Sequence, residues 1–192
     1  MKKIFAILLV FIMVLSGCGS DLPSGNNFSG FEGYNTELSE EELKKAMKNG
    51  KVKLENRPDE NICYISIVCK TAIESGKLSD SMLKILPEDG IVLEKFELEY
   101  EDGATVFDIL AAAVRENKIH MEYTGTKTVP YIEGVANLYE FDCGPLSGWM
   151  YQVNGWFPSF SLGQYKIERG DHIEIVYTCD LGVDVGDNYM NE

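Results

Sequence analysis

Basic charge is scarce in this 192-residue chain: 17 lysines and arginines stand against 31 aspartates and glutamates, a formal net charge of −14 at pH 7. No basic stripe exists to displace counterions from a phosphate backbone, so nucleic acid is not expected as a partner. Histidine is scarcer still, with two copies. His120 has no second histidine or nearby cysteine at metal-ligand spacing, and His172 falls out of phase with the apolar alternation around it; both read as structural or solvent-exposed. No nucleophile has a base beside it in sequence, and Glu94, Glu97, Glu99 and Glu101 share one carboxylate-rich segment with nothing to separate their environments. A non-enzyme is expected. Asp180, Asp184, Asp187 and Asn188 lack the loop spacing and bidentate glutamate of a calcium hand, so they read as a solvated acidic tail rather than a metal site. No repeat of solenoid spacing occurs.

Long apolar runs are few as well. The longest, Ile4 to Leu15, follows Lys2 and Lys3. It falls short of the roughly 20 apolar residues of a spanning helix, and a positive start before a short apolar core is the pattern of an export signal. The run closes on Leu15-Ser16-Gly17-Cys18, which resembles the bacterial lipobox. That resemblance implies a diacylglyceryl group on the Cys18 thiol, removal of residues 1–17, and tethering at the extracytoplasmic face of a membrane; two or more acyl chains anchor stably where one binds marginally. Gly19 to Gly33 is mostly Gly, Ser, Asn, Asp and Pro with little to bury, as a flexible tether requires. The expected organisation is a signal over 1–17, a lipid-anchored linker with a short helix over 18–58, and a folded domain over 59–192.

Four further cysteines lie in a compartment that permits disulfides. Cys63 and Cys69 sit in an extended apolar segment that would hold them ~20 Å apart, whereas a disulfide tolerates only ~7 Å between α-carbons. They are expected to be small buried hydrophobes. Cys143 and Cys179 bracket the most patterned part of the chain and are the favoured pair; in the chain-entropy model their union stabilises by about 4 kcal/mol.

Hydrophobic periodicity supplies the elements. Ser39-Glu40-Glu41-Glu42 offers a capping box ahead of Leu43, Ala46 and Met47, with a stop at Asn49-Gly50. Ile62 to Cys69 and Ile91 to Tyr100 read as strands. Asp102-Gly103 turns the chain into a helix over 105–117, with Val106, Ile109, Leu110, Ala113 and Val114 in one apolar stripe. Strands are expected over 119–123, 129–133, 149–153 and 172–179. A ββ start followed by one principal helix on a mixed sheet is an α+β layout.

The most unusual stretch is aromatic: Trp149-Met150-Tyr151-Gln152-Val153-Asn154-Gly155-Trp156-Phe157-Pro158-Ser159-Phe160. Asn154-Gly155 is a strong tight-turn signal, so Trp149, Tyr151 and Val153 share one strand face, most simply the core. Trp156, Phe157 and Phe160 follow the turn, where polar residues are usual. They either fold back on the core or present an apolar surface to a ligand.

From Tyr131-Ile132-Glu133-Gly134-Val135 through Gly148-Trp149-Met150-Tyr151-Gln152-Val153-Asn154-Gly155 to Gln164-Tyr165-Lys166-Ile167-Glu168-Arg169-Gly170-Asp171 and Tyr177-Thr178-Cys179-Asp180, the chain resembles the bacterial transcobalamin-like C-terminal domain family. The likeness extends upstream through Val106-Phe107-Asp108-Ile109-Leu110. It implies a β-grasp-like fold, similar to the C-terminal lobe of intrinsic factor and transcobalamin, in which a mixed sheet packs on one main helix. In those animal carriers cobalamin lies between this lobe and a larger helical lobe for which this chain has no room. Tyr131 and Trp149 carry over by position; Trp156, Phe157 and Phe160 join them from the residue pattern alone. Two functions follow, a binding module for cobalamin or a related corrinoid, with no certain resident cofactor, and a cell-surface interaction domain for a protein or glycan.

Overall fold

The computed structural model describes residues 37–187; Cys18, the leader, the first part of the linker and Asn188 lie outside the described residues. Helix α1 (Glu40–Gly50) begins at Ser39 with the expected capping box: Glu42 accepts from the Ser39 backbone amide at 3.0 Å while the Ser39 hydroxyl accepts from the Glu42 amide at 3.4 Å. None of its residues is fully buried. Its apolar side chains Leu43, Ala46 and Met47 nevertheless rest against the main core.

After an extended strap, β1 (Ile62–Val68) enters the centre of the molecule. Two short helices, α2 (Lys70–Glu74) and α3 (Asp80–Leu83), precede β2 (Ile91–Glu99), and then comes α4 (Val106–Glu116). A second capping box, Thr105 with Asp108, starts α4. Its stripe of Val106, Phe107, Ile109, Leu110, Ala113 and Val114 is wholly buried, each large side chain contributing roughly 1.5–3 kcal/mol by leaving water. The remaining strands are β3 (Met121–Gly125), β4 (Pro130–Val135), β5 (Leu138–Tyr139), β6 (Gly148–Val153) and β7 (His172–Thr178).

Helices and strands are mixed, but the strands form two sheets rather than one. A four-stranded sheet has the order β2-β1-β7-β6, and β3-β4-β5 form a separate three-stranded sheet. Strand β1 pairs antiparallel with β2 and parallel with β7, so the first and last strands meet in the middle. That register sets Cys63, Ile65 and Ile67 beside Ile173 and Ile175 on the inner face. Around the three-stranded sheet the chain bends tightly: Lys118 before β3, and Ala136 and Asn137 between β4 and β5, adopt left-handed backbone conformations. The turn at Asn154-Gly155 forms with φ of 54° and 85°, yet only Val153 and Trp156 bridge across it, because β6 takes β7 as its partner.

Two further expectations are corrected. Cys69 does not continue the strand but precedes α2, and packs in a second, smaller core with Cys143, Leu138 and Tyr177. The acidic C-terminal segment is not a solvated tail. Residues Val183–Val185 form a 3-10 turn, Asp184 accepts from the Thr178 hydroxyl and, at 2.8 Å, from the Cys179 amide, and Asp187 is 6% exposed. Hydrogen-bond donors at the end of β7 draw the carboxylates back onto the fold.

Asp171 fixes the start of β7. Its buried carboxylate accepts from Arg57 at 2.9 Å, Asn154 Nδ2 at 3.0 Å and the Glu168 amide at 2.9 Å. Replacing Asp171 with Ala leaves Asn154 Nδ2 and the Glu168 amide short of an acceptor and removes one of the two carboxylates paired with the part-buried Arg57 guanidinium. Denaturant unfolding is expected to show a loss of about 3 kcal/mol.

Cys143 and Cys179 are free thiols that line one cleft, and burial, together with Cys143 beside it, pushes the Cys179 thiol up to about 12. Such a thiol is a slow nucleophile, because little of it is thiolate at neutral pH. In protein folded in an oxidising medium, peptide mapping without reduction is expected to recover a Cys143–Cys179 cross-link, and reduction to lower Tm; free thiols at both positions would refute the pairing.

Candidate functional site

Strand β6 and the loop after it assemble an aromatic cluster. Trp149, Tyr151 and Val153 share the inner face, as alternation requires. The Tyr151 hydroxyl donates to the Phe160 carbonyl at 2.8 Å, which ties the loop to the strand. Phe160 stacks on Tyr165 at 6.2 Å with an interplanar angle of 11°, and Trp156 meets Phe160 edge-on at 6.1 Å and lies 6.2 Å from Tyr165. Edge-to-face and offset contacts of this kind add about 0.5–1.5 kcal/mol each beyond burial.

The five aromatic candidates do not form one surface. Phe160 is fully buried and belongs to the core, so it offers no face to a ligand in this conformation. Trp156 and Phe157 are half-buried beside the turn. Trp149 turns toward the second core: its indole N–H donates to the Leu138 carbonyl at 2.9 Å and its ring lies 5.2 Å from that of Tyr177. Tyr131 is on the three-stranded sheet, where its hydroxyl donates to Glu140; burial first, and then that carboxylate, raise its pKa. The structure thus brings Trp156 and Phe160 together and leaves Trp149 and Tyr131 elsewhere.

Tyr165 joins the cluster although the residue pattern did not single it out. It is fully buried, and its hydroxyl has no hydrogen-bond partner among the described residues. Burial raises its pKa strongly, so it remains a neutral phenol, able to donate one bond and accept another. A buried unpaired hydroxyl costs about 1–3 kcal/mol. Its sequence signal was slight: a tyrosine in Gln164-Tyr165-Lys166-Ile167 looks like one more alternating core residue.

The linker closes over this cluster. Gly50, at the end of α1, lies so close to the Trp156 indole that a β-carbon added there would meet Cε2 at 2.1 Å. The Lys51 ammonium sits 5.0 Å above the Tyr165 ring centroid and pairs with Glu168 at 2.7 Å. Arg57 binds both Glu168 and Asp171 at 2.9 Å. Further back, Gln164 exchanges two hydrogen bonds with the Leu38 backbone, at 2.9 and 2.8 Å.

Two other places carry chemistry. A cleft of about 620 Å³ is lined by Cys143, Cys179, Lys77, Leu146 and Asp180. On the outer face of the four-stranded sheet, the Ser66 hydroxyl lies 3.3 Å from His172 Nε2 and 3.4 Å from Glu174. Burial lowers the His172 pKa, so the ring is neutral at pH 7 and can accept a proton. The parallel register of β1 with β7 creates this contact, which is why sequence spacing missed it. Glu174 faces the serine, not the second ring nitrogen, and so does not orient the imidazole as a triad acid does. Among the described residues, no group of three or more His, Cys, Asp or Glu side chains is placed to hold a metal ion.

Comparison with known proteins finds a family model that matches part of this region. Residues 103–178, from the turn before α4 to the end of β7, match the model described as "Domain of unknown function (DUF4430)". No curated protein matches the chain. Among solved structures, haptocorrin in complex with Cbi is similar at 13% identity and a TM-score of 0.43, over 64% of this chain and 26% of that one. A Ruminococcus gnavus protein provisionally described as metal-binding is similar at 15% identity and a TM-score of 0.38, over 62% of this chain and 97% of the other. This chain therefore spans about a quarter of the haptocorrin chain. The segment shared with the family model holds α4, Tyr131, Trp149, Trp156, Phe157, Phe160 and Tyr165.

Proposed function

We propose that this chain is a lipid-anchored extracytoplasmic module that binds a small planar ligand, cobalamin or a related corrinoid, at the aromatic cluster around Trp156, without catalysing a reaction. The observation that carries this reading is the unpaired hydroxyl of Tyr165, whose ring lies 6.2 Å from the half-buried Trp156 indole. An indole offers a flat face to a ring system, and an amide-fringed ligand carries the acceptors and donors that a lone phenol lacks. The four-strand order with α4 against β1 and β2 supports the β-grasp likeness on which the corrinoid assignment leans. A corrinoid held on one face only keeps much of its surface wet, so modest affinity is expected for this site alone.

Phe141 favours a second reading, a surface domain that meets a protein or glycan. It is 51% exposed at a φ of 68°, a left-handed conformation that is strained for a bulky side chain. An exposed aromatic ring held this way suits a contact surface outside the ligand site. Capture of a glycan or protein that depends on Phe141, with no corrinoid uptake, would put this reading first.

Cyanocobalamin titrated into the protein is expected to quench tryptophan fluorescence. Trp156→Ala should weaken binding by about 1–3 kcal/mol, as loss of an anchoring ring does. Tyr165→Phe should weaken binding too while stabilising the free protein by about 1 kcal/mol, because the unpaired hydroxyl is gone. A Tyr165→Phe protein that binds normally removes the basis for the site.

The anchor is tested separately. Cys18→Ser is expected to release the protein from membranes or leave an unprocessed precursor. A processed Cys18→Ser protein that still partitions into the detergent phase would rule out lipid attachment at that residue.

A further inference from the structure

We infer that α1 is a built-in competitor for the aromatic site: its end covers Trp156 and the strap behind it covers Tyr165, so a ligand reaches them only when the linker lifts. This rests on the binding reading above and adds its regulation. The contact is intimate, since Gly50 lies against the indole with no room for a β-carbon. A residue without a side chain is what lets the helix end approach a flat ring so closely.

The cover is nevertheless weakly held. No residue of α1 is fully buried, and its apolar side chains pack on the core from partly exposed positions. Its polar ties are few: two part-buried hydrogen bonds between Gln164 and the Leu38 backbone at one end, and at the other Lys51, 12% exposed, paired with Glu168, 53% exposed. A segment with no fully buried residue and few ties to the core opens locally at lower cost than the core strands, without unfolding the rest. Arg57, by contrast, is bound to the fully buried Asp171. The hinge therefore lies between Lys51 and Arg57, so the helix and Lys51 can lift together, uncovering Trp156 and Tyr165, while the chain from Arg57 onward stays pinned.

Beneath the cover, one buried polar atom has no partner. The Tyr165 hydroxyl gains nothing from Lys51, which meets the face of its ring. Closure thus protects the aromatic rings but leaves the phenol unpaired, while an amide-bearing ligand in place of the linker would supply the missing bond. The two occupants compete on unequal terms, which is what an exchangeable cover requires. A cover closed nine-tenths of the time weakens apparent ligand affinity about tenfold.

The test compares the full chain with Gly50→Leu, whose side chain cannot coexist with the indole, and with Leu43→Lys/Met47→Lys, which detaches the helix by its apolar face should Gly50→Leu misfold. Hydrogen exchange is followed over α1 and the core strands, with and without cyanocobalamin, beside acrylamide quenching of tryptophan. The expected result is a protected α1 in the free protein, loss of that protection on adding cyanocobalamin, and about tenfold tighter binding by the uncovered variants. Equal affinity in all proteins, with α1 still protected at saturating cyanocobalamin, overturns the cover and leaves the binding reading standing. If no protein binds cyanocobalamin, the binding reading fails, and the ligand-free data decide the cover. Protection of α1 that both variants abolish, with stronger quenching, upholds it; an unprotected α1 in the parent chain overturns it.

Discussion

One buried carboxylate holds the domain in register. Asp171 accepts from Arg57 in the linker, from Asn154 in the turn after β6 and from the Glu168 amide beside it, while its own carbonyl accepts from the Tyr64 amide of β1 at 2.8 Å. Donors from Arg57 and Tyr64, more than a hundred positions away, and from Asn154 and Glu168, nearer in the chain, meet at one residue that is 0% exposed. A carboxylate withdrawn from water is tolerable only when its lone pairs are filled, and here donors from three directions fill them. The parallel pairing of β1 with β7, the position of the aromatic loop and the attachment of the linker all depend on that convergence.

The aromatic cluster is a consequence. Because Asn154 is held by Asp171, the tight turn cannot slide, and Trp156 is delivered beside Phe160 and Tyr165. The stacked pair Phe160 and Tyr165 serves as a rigid floor, and Trp156 is the part of the cluster that reaches toward solvent. Packing and function pull in different directions at Tyr165: a phenylalanine would fill the same space without an unpaired hydroxyl. An unpaired polar atom in a well-packed region calls for a reason beyond packing, and the proposed ligand supplies one.

Much of the secondary structure was legible in advance. The helix over 106–116, the capping box at Ser39 and the strands β1, β2, β6 and β7 follow from periodicity and local chemistry, because an apolar stripe at 3.6 or 2 residues has one economical use. The site was legible only in part. Trp156 and Phe157 stood out because apolar residues after a tight turn are unusual, but the same logic placed Phe160 beside them on the surface, and it is buried. Tyr165 went unnoticed because an unpaired hydroxyl is a property of surroundings, which spacing does not encode. The Ser66 and His172 contact was hidden for the same reason, since parallel register is set by residues more than a hundred positions apart.

By itself the sequence determined the charge balance, the lipobox-like Cys18, the amphipathic helix, the strand faces and the turn at Asn154-Gly155, all features fixed within a few residues of the chain. Tertiary structure decided the rest: that the strands divide into two sheets, that the acidic C-terminal segment folds back on β7, and that the linker helix lies against Trp156. The physical reason is range. Propensity, capping and periodicity act over one turn or one strand, whereas the Asp171 carboxylate, the two cores and the orphaned Tyr165 hydroxyl depend on groups that only folding brings together.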